Sequence, residues 1–219
     1  MLRSSLRNIL TSGSSLFKQT ASIDPDDVPK QHLKLVLCGA ERVGKSKLFE
    51  RIMHDTYSES YYQTIGSDSG VCSRIVPGAN VQLEIWDTSG GPMYRSVLPI
   101  FFKKADIVAV VFDITNAKSF ECVSELVTSS REWAGGDVDV AIFGTKIDSW
   151  KSPREVTYEQ AIELAGRLDC RYFETSAVTT QGLEDSLRKL LKKALKRKRL
   201  LPEWLLDTPR EEMDDELQE

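Results

Sequence analysis

The chain lacks the patterns that would place it among several common classes. Its four cysteines, Cys38, Cys72, Cys122 and Cys170, show no C-x-x-C spacing and no nearby histidine. That excludes a zinc centre or a disulfide framework and fits reduced thiols inside a cell. No apolar run approaches the roughly 18 residues that a membrane span needs. A net charge of −4 gives no general attraction to nucleic acid. A length of 219 residues suits one domain with tails, and a hydrophobic fraction of 41% is enough for an ordinary core.

The two ends are biased in composition. Residues 1–22 contain no acidic residue, and Leu2, Leu6, Ile9, Leu10, Leu16 and Phe17 fall on one stripe at helical spacing. Three readings stand side by side: a mitochondrial-type targeting segment, an amphipathic helix lying on a membrane or partner, and an unstructured arm. Residues 23–29, with Pro25, Pro29 and clustered aspartates, read as a linker. Near the other end, Leu183, Leu187, Leu190, Leu191, Ala194 and Leu195 form a helical stripe whose opposite face is Lys and Arg. The expected role is a terminal helix packed on the core, with the basic run 192–199 also able to meet acidic lipid or an acidic partner. Pro202 ends that helix, and Trp204-Leu205-Leu206 leads into an acidic tail.

What the chain does contain is a strand-like run at 33–38 followed by Gly39-Ala40-Glu41-Arg42-Val43-Gly44-Lys45-Ser46, with a helix opening near Lys47. Glycines let the backbone wrap so that several N–H groups point at phosphate oxygens, and the helix N-terminus adds partial positive charge. Lys45 is then placed for β- and γ-phosphates and the Ser46 hydroxyl for Mg²⁺.

Downstream, residues 81–86 alternate as a half-buried strand, while 107–112 and 138–143 read as buried parallel strands. Helical patterns cover 119–133 and 157–168, and 171–173 is a short strand. The alternation predicts an α/β fold with a mostly parallel central sheet and helices on both faces, ligands binding beyond the strand carboxyl ends. Further motifs lie at those ends. Asp87 and Gly90 sit in Asp87-Thr88-Ser89-Gly90, suited to a Mg²⁺ water and a γ-phosphate. In Gly144-Thr145-Lys146-Ile147-Asp148, Asp148 can accept both N–H donors of a guanine edge and the Lys146 stem can cover the base, and Ser176-Ala177 can offer a backbone N–H to the guanine carbonyl.

These motifs, in this order, resemble those of Ras-superfamily small GTPases, closest to the Rab branch, over residues 33–200. Residues 55–61 (Asp-Thr-Tyr-Ser-Glu-Ser-Tyr) with Thr64-Ile65-Gly66 are similar to the Rab first switch, and Trp86-Asp87-Thr88-Ser89-Gly90 to the second. Phe101 to Ala105 stands where Rabs carry an aromatic pair and a basic residue. The resemblance implies a P-loop NTPase G-domain at 31–200, between an extension at 1–30 and a tail at 201–219. It implies GTP/GDP and Mg²⁺ as ligands, with Ser46, Thr64 and Asp87 at the metal. Residues 39–47 (including Lys47), Gly90 and Thr64 would serve phosphate. Tyr57 would pack edge-on against guanine, and Thr145 takes the place of an asparagine, as in Rho-type relatives. It also implies an effector docking on the switches in the GTP state, an exchange factor and an activating protein. A monomer is expected, with no nucleic-acid partner and a role in intracellular trafficking or organelle regulation.

Four departures qualify the resemblance. Gly91 stands where the family's water-positioning glutamine belongs, followed by Pro92, so slow hydrolysis and no assured catalytic side chain are expected. Glu41 and Arg42 replace small residues. Glu41 can crowd or repel the γ-phosphate and obstruct an arginine finger, Arg42 can act from within the chain, or both can point to solvent. Ser69 replaces an aromatic effector anchor after Asp68. No cysteine follows Cys170, so a C-terminal prenyl anchor is not expected, and Met1-Leu2 does not suit myristoylation. The expected location is cytoplasmic, with peripheral organelle contact, or mitochondrial if residues 1–22 are a targeting segment. Rival readings are a permanently GTP-bound effector-binding module, a structural subunit and an unrelated P-loop ATPase.

Overall fold

In a computed structural model, residues 30–60, 62–150 and 152–201 are described. The expectations for the stripe at 1–22, the linker, Tyr61, Pro202 and the tail lie outside these residues.

Six strands form one sheet in the order β2-β3-β1-β4-β5-β6. They are β1 (Lys30–Cys38), β2 (Ser67–Val76), β3 (Ala79–Thr88), β4 (Ile107–Asp113), β5 (Asp139–Thr145) and β6 (Arg171–Thr175). Only β2 runs antiparallel, against β3; the other pairings are parallel. The helices are α1 (Lys45–His54), α2 (Leu98–Phe102), α3 (Ala117–Glu121), α4 (Val123–Ala134), α5 (Tyr158–Arg167) and α6 (Leu183–Arg197). The α/β architecture with a mostly parallel sheet is as the sequence predicts.

The sheet has a core on each face, which is why β4 and β5 are buried at every position. Alternate β1 residues Leu33, Leu35 and Leu37 join the α1 and α6 stripes, including Leu48, Ile52, Leu187 and Leu191. Val36 and Cys38 join Val108, Val110 and Phe112 beneath α2, α4 and α5. Burial pushes the Cys38 thiol up to about 12, and all four cysteines are free. Among the described residues no helix is long and apolar enough to cross a membrane.

Several boundaries differ from the sequence reading. β1 begins at Lys30, inside the expected extension, and Leu201 is buried in the core although it opens the expected tail. The helix expected at 119–133 is two, meeting at Cys122, and the first starts earlier, at Ala117, where the Ser119 hydroxyl donates to Asn116 O and accepts from Asp113 N. β2 and the 3₁₀ turn Pro92–Val97 leading into α2 were not anticipated. The Thr157 start of α5 holds: its hydroxyl accepts from Gln160 N at 3.2 Å while the Gln160 side chain accepts from Thr157 N at 2.8 Å.

Three side chains of the basic run, Lys193, Arg197 and Lys198, pair with carboxylates at the starts of the central strands. Lys193 and Arg197 pair with the buried Asp139 at 3.1 and 2.9 Å, Arg197 also with Asp137, and Lys198 with Asp106 at 2.6 Å.

Candidate functional site

β1 ends in the loop that feeds α1, and the backbone there is tightly specified. A side chain on Gly39 would place its Cβ 2.1 Å from the Val111 carbonyl oxygen, so only glycine lets the loop lie against β4. Gly44 precedes α1 at φ 101°, and Arg42 adopts a left-handed φ of 62°. The Lys45 ammonium is buried and donates to Gly39 O and Ala40 O at 3.0 and 2.7 Å. Burial lowers its pKa, against the opposing pull of Asp87 and other anionic groups including Glu41.

Behind Lys45 lies an oxygen cluster. Ser46 Oγ donates to Asp87 Oδ2 at 2.5 Å and lies 3.0 Å from Thr64 Oγ1, which donates to the same carboxylate oxygen at 3.3 Å. Asp87 Oδ1 is buried with no hydrogen-bond partner. Burial raises the Asp87 pKa, partly offset by the Ser46 bond and Lys45. Magnesium takes hard oxygen donors and usually only one or two carboxylates, completing its shell with water and substrate phosphate. Two hydroxyls and a carboxylate with a bare oxygen fit that ion. No group of three or more His, Cys, Asp or Glu suited to a metal occurs among the described residues, which leaves water and phosphate oxygens to complete the shell.

Two adjoining cavities open here, sharing Gly44, Lys47, Tyr57, Glu59 and Lys146 in their walls. The one over the oxygen cluster, about 220 Å³, is also lined by Glu41, Arg42, Lys45, Ser46, Gln63, Thr64 and Gly90. The other, about 310 Å³, is lined by Thr145, Asp148, Trp150 and Ala177. Together the two bring phosphate-type and base-type candidates to one edge of the sheet. Gly39, Ala40, Val43, Asp87 and Ser176 stand behind these walls and brace them. The Thr145 hydroxyl lies 2.5 Å from Val43 O and 2.9 Å from Phe112 O, tying the phosphate loop to β4. Lys146 donates to Arg42 O at 2.8 Å and pairs with Asp113 at 2.6 Å, which fixes its stem along the second cavity. The Ser176 hydroxyl accepts from Val178 N and Thr179 N at 3.1 and 2.9 Å, holding the turn that presents Ala177.

A profile of the Ras family matches residues 34–196. The chain belongs to the Ras family. It is similar to "Ras-related protein Rab-13" of Canis lupus familiaris, 33% identical over 162 residues, 74% of this chain and 79% of that protein. Proteins of the same name from Mesocricetus auratus and Bos taurus are each 32% identical over 162 residues, again 74% of this chain and 79% of theirs. It is a Rab-like small GTPase of the Ras superfamily, with a P-loop and a GTP-binding, hydrolase character common to the family. Ras-family GTPases bind GTP or GDP with Mg²⁺, and Rab-like members work through effectors, exchange factors and activating proteins.

Against that family background the structure adds residues the sequence reading did not single out. Gln63, directly before Thr64, donates through Nε2 to Glu41 Oε1 at 3.3 Å. Tyr94 covers Gly91, and Trp150 lines the second cavity although 86% exposed. The available clue was that a bulky Glu41 and a minimal Gly91 depart from the family pattern together. Glu41 is exposed, and its carboxylate oxygen lies 2.8 Å from where a Cβ on the buried Gly91 would stand. Opposite Trp86 in the β2–β3 register stands Ser69, while Phe101 and the Lys34 ammonium approach Trp86 itself, at 5.5 and 5.0 Å.

Proposed function

We propose that this chain is a guanine-nucleotide switch that binds GDP and GTP with Mg²⁺ in the paired cavities and hydrolyses GTP slowly. The observation that carries this reading is the Ser46–Thr64–Asp87 cluster with its bare, buried carboxylate oxygen. It joins the phosphate loop, the first switch and the end of β3 through one set of hard donors, so a bound cation and its phosphates bias all three segments at once. When bound, Mg²⁺ supplies charge neutralisation at the phosphates. The chain's own residues do the rest. Lys45 and the backbone of residues 39–47 cradle phosphate, Gly90 offers its N–H, and Tyr57 and Lys146 enclose the base. Asp148 lines the base cavity, where its carboxylate can accept from a guanine edge. Ser176-Ala177 closes the far side.

Slow turnover follows from Gly91, which has no side chain with which to orient an attacking water. Effector capture through the switches is supported by exposed apolar side chains there: Tyr62 and Ile65 at 82%, Met93 at 76% and Ile100 at 70%. The cellular role that suits such a monomeric switch is intracellular trafficking or organelle regulation, from the cytoplasm, with only peripheral membrane contact.

The test is to identify the nucleotide that copurifies and to measure single-turnover GTP hydrolysis beside Ser46→Asn. Guanine nucleotide is expected on the wild type, displaced by GDP and not by ADP, with hydrolysis slower than in relatives that carry the glutamine. Ser46→Asn is expected to lose Mg²⁺-coupled GTP binding. Displacement by ADP as readily as by GDP would end the guanine reading, and turnover at an ordinary rate would end the argument from Gly91.

A further inference from the structure

The γ-phosphate side of the site carries a contact between three segments that are far apart in sequence. Glu41 belongs to the phosphate loop, Gln63 to the first switch and Gly91 to the second. The Glu41 carboxylate accepts from the Gln63 amide at 3.3 Å. It lies where a side chain on Gly91 would go, since a Cβ there would sit 2.8 Å from Glu41 Oε1 and 3.3 Å from Tyr94 Cδ2. Glu41, Gln63, Thr64 and Gly90 line the same cavity as Lys45. The small Gly91 is therefore matched by bulk and charge at Glu41, and Gln63 meets that charge in a solvent-exposed hydrogen bond.

We propose that Glu41 is a specificity-determining residue that makes this protein discriminate against the triphosphate in favour of the diphosphate, by keeping a carboxylate on the side of the site nearest the metal-type cluster and Gly90. This rests on the guanine-nucleotide reading above. A diphosphate leaves the Glu41–Gln63 contact undisturbed, so the first switch stays tied to the phosphate loop through the chain's own atoms. A third phosphate faces a like charge at short range and must displace the carboxylate from Gln63, whereas nothing comparable opposes the diphosphate. Gly91 is the permissive member of the trio. A glutamine there needs the volume that Glu41 Oε1 holds, and Glu41, being the end of a flexible side chain, would have to swing away and release Gln63.

The experiment is equilibrium binding of fluorescent GDP and of a non-hydrolysable fluorescent GTP analogue, with Mg²⁺, to the full chain. Wild type is compared with Glu41→Gln, which keeps the shape and removes the charge, and with Glu41→Gly and Gln63→Ala. The ratio of the two dissociation constants is expected to favour GDP by about tenfold or more in wild type. It is expected to fall at least about fivefold in both Glu41 variants, and less in Gln63→Ala, where the charge remains but is no longer held. Raising ionic strength should narrow the wild-type ratio and leave that of Glu41→Gln nearly constant. A second readout uses Gly91→Gln alone and combined with Glu41→Gly: the two substitutions should be non-additive in the ratio, because each changes the same volume. An unchanged ratio in Glu41→Gln, or additive effects in the double variant, overturns the proposal. Failure of wild type to bind either nucleotide would instead overturn the guanine-nucleotide reading, so the two failures are distinguishable.

Discussion

At the scale of single residues, the site depends on buried polar side chains that hold its loops in place. Thr145 is the plainest instance. The residue is 3% exposed, and its single hydroxyl proton is shared between the Val43 and Phe112 carbonyls, one from the phosphate loop and one from β4. Replacing it with valine keeps the shape and removes the one donor the two carbonyls share. A buried acceptor left unmatched costs about 1–3 kcal/mol. Thr145→Val is therefore expected to lower the unfolding free energy by about 1–3 kcal/mol, read as a lower urea midpoint at unchanged slope, and an unaltered midpoint would show that the hydroxyl carries no such load. The residue that stands in for the family's asparagine thus braces the loop while also lining the second cavity. Gly39 belongs to the same scale: its 2.1 Å clearance from the Val111 carbonyl fixes how deeply the loop can sit.

At the scale of elements, α6 packs its apolar stripe on the core as the sequence reading expects, and part of its basic face is also tied inward. Arg197 donates to Asp139 at 2.9 Å, to Asp137 O at 2.8 Å and to Asp106 O at 2.9 Å. Asp139 is the first residue of β5 and its side chain is 4% exposed, so these bonds fasten the last helix beneath β4 and β5. Arg197→Ala leaves Lys193 as the remaining partner of a buried carboxylate, and hydrogen bonds to charged groups are worth roughly 1.5–3 kcal/mol. A loss of that size in chemical denaturation is expected, with binding to acidic vesicles little altered; unchanged stability with lost vesicle binding would reverse the assignment. The elements that were legible beforehand are those with one strong period, such as the core stripe of α6 and the continuous apolar runs of β4 and β5. Ser67–Val76 was not legible because it is an edge strand with Val71 and Ile75 exposed and Gly70 in its middle, so apolar alternation does not mark a buried face. The phosphate loop, Asp87, Asp148 and Ser176-Ala177 could be found because each is a short motif at a strand end. The Glu41–Gln63 contact could not, because it joins aperiodic segments whose meeting depends on the whole sheet.

At the scale of the molecule, the sheet gathers the ends of β1, β3, β4, β5 and β6 on one side, and the integrity of the base cavity depends on tying the loop after β5 to β6. That tie is Arg154, which forks onto Glu174 at 2.7 and 2.9 Å, with the Tyr172 hydroxyl donating to the same carboxylate at 2.9 Å. Arg154 follows Asp148 in the loop and Glu174 precedes Ser176-Ala177, so one ion pair spans the two segments that wall the base cavity. Burial alone would raise the Glu174 pKa, but the Arg154 and Tyr172 bonds outweigh it and hold it below the ordinary carboxylate value. A carboxylate whose folded pKa is depressed stabilises the fold above its unfolded pKa and loses that contribution as pH falls through the folded one. Because Arg154 is partly exposed, screening limits the pair to about 1 kcal/mol or less. Wild type is therefore expected to exceed Arg154→Met by about that margin near neutral pH, and the two should converge as acid protonates Glu174 below the usual carboxylate range. Denaturant titrations of both proteins across that range check the sign. A margin that grows toward acid would mean that Arg154 supports the loop by packing its stem, and that the ion pair contributes nothing to closing the cavity wall.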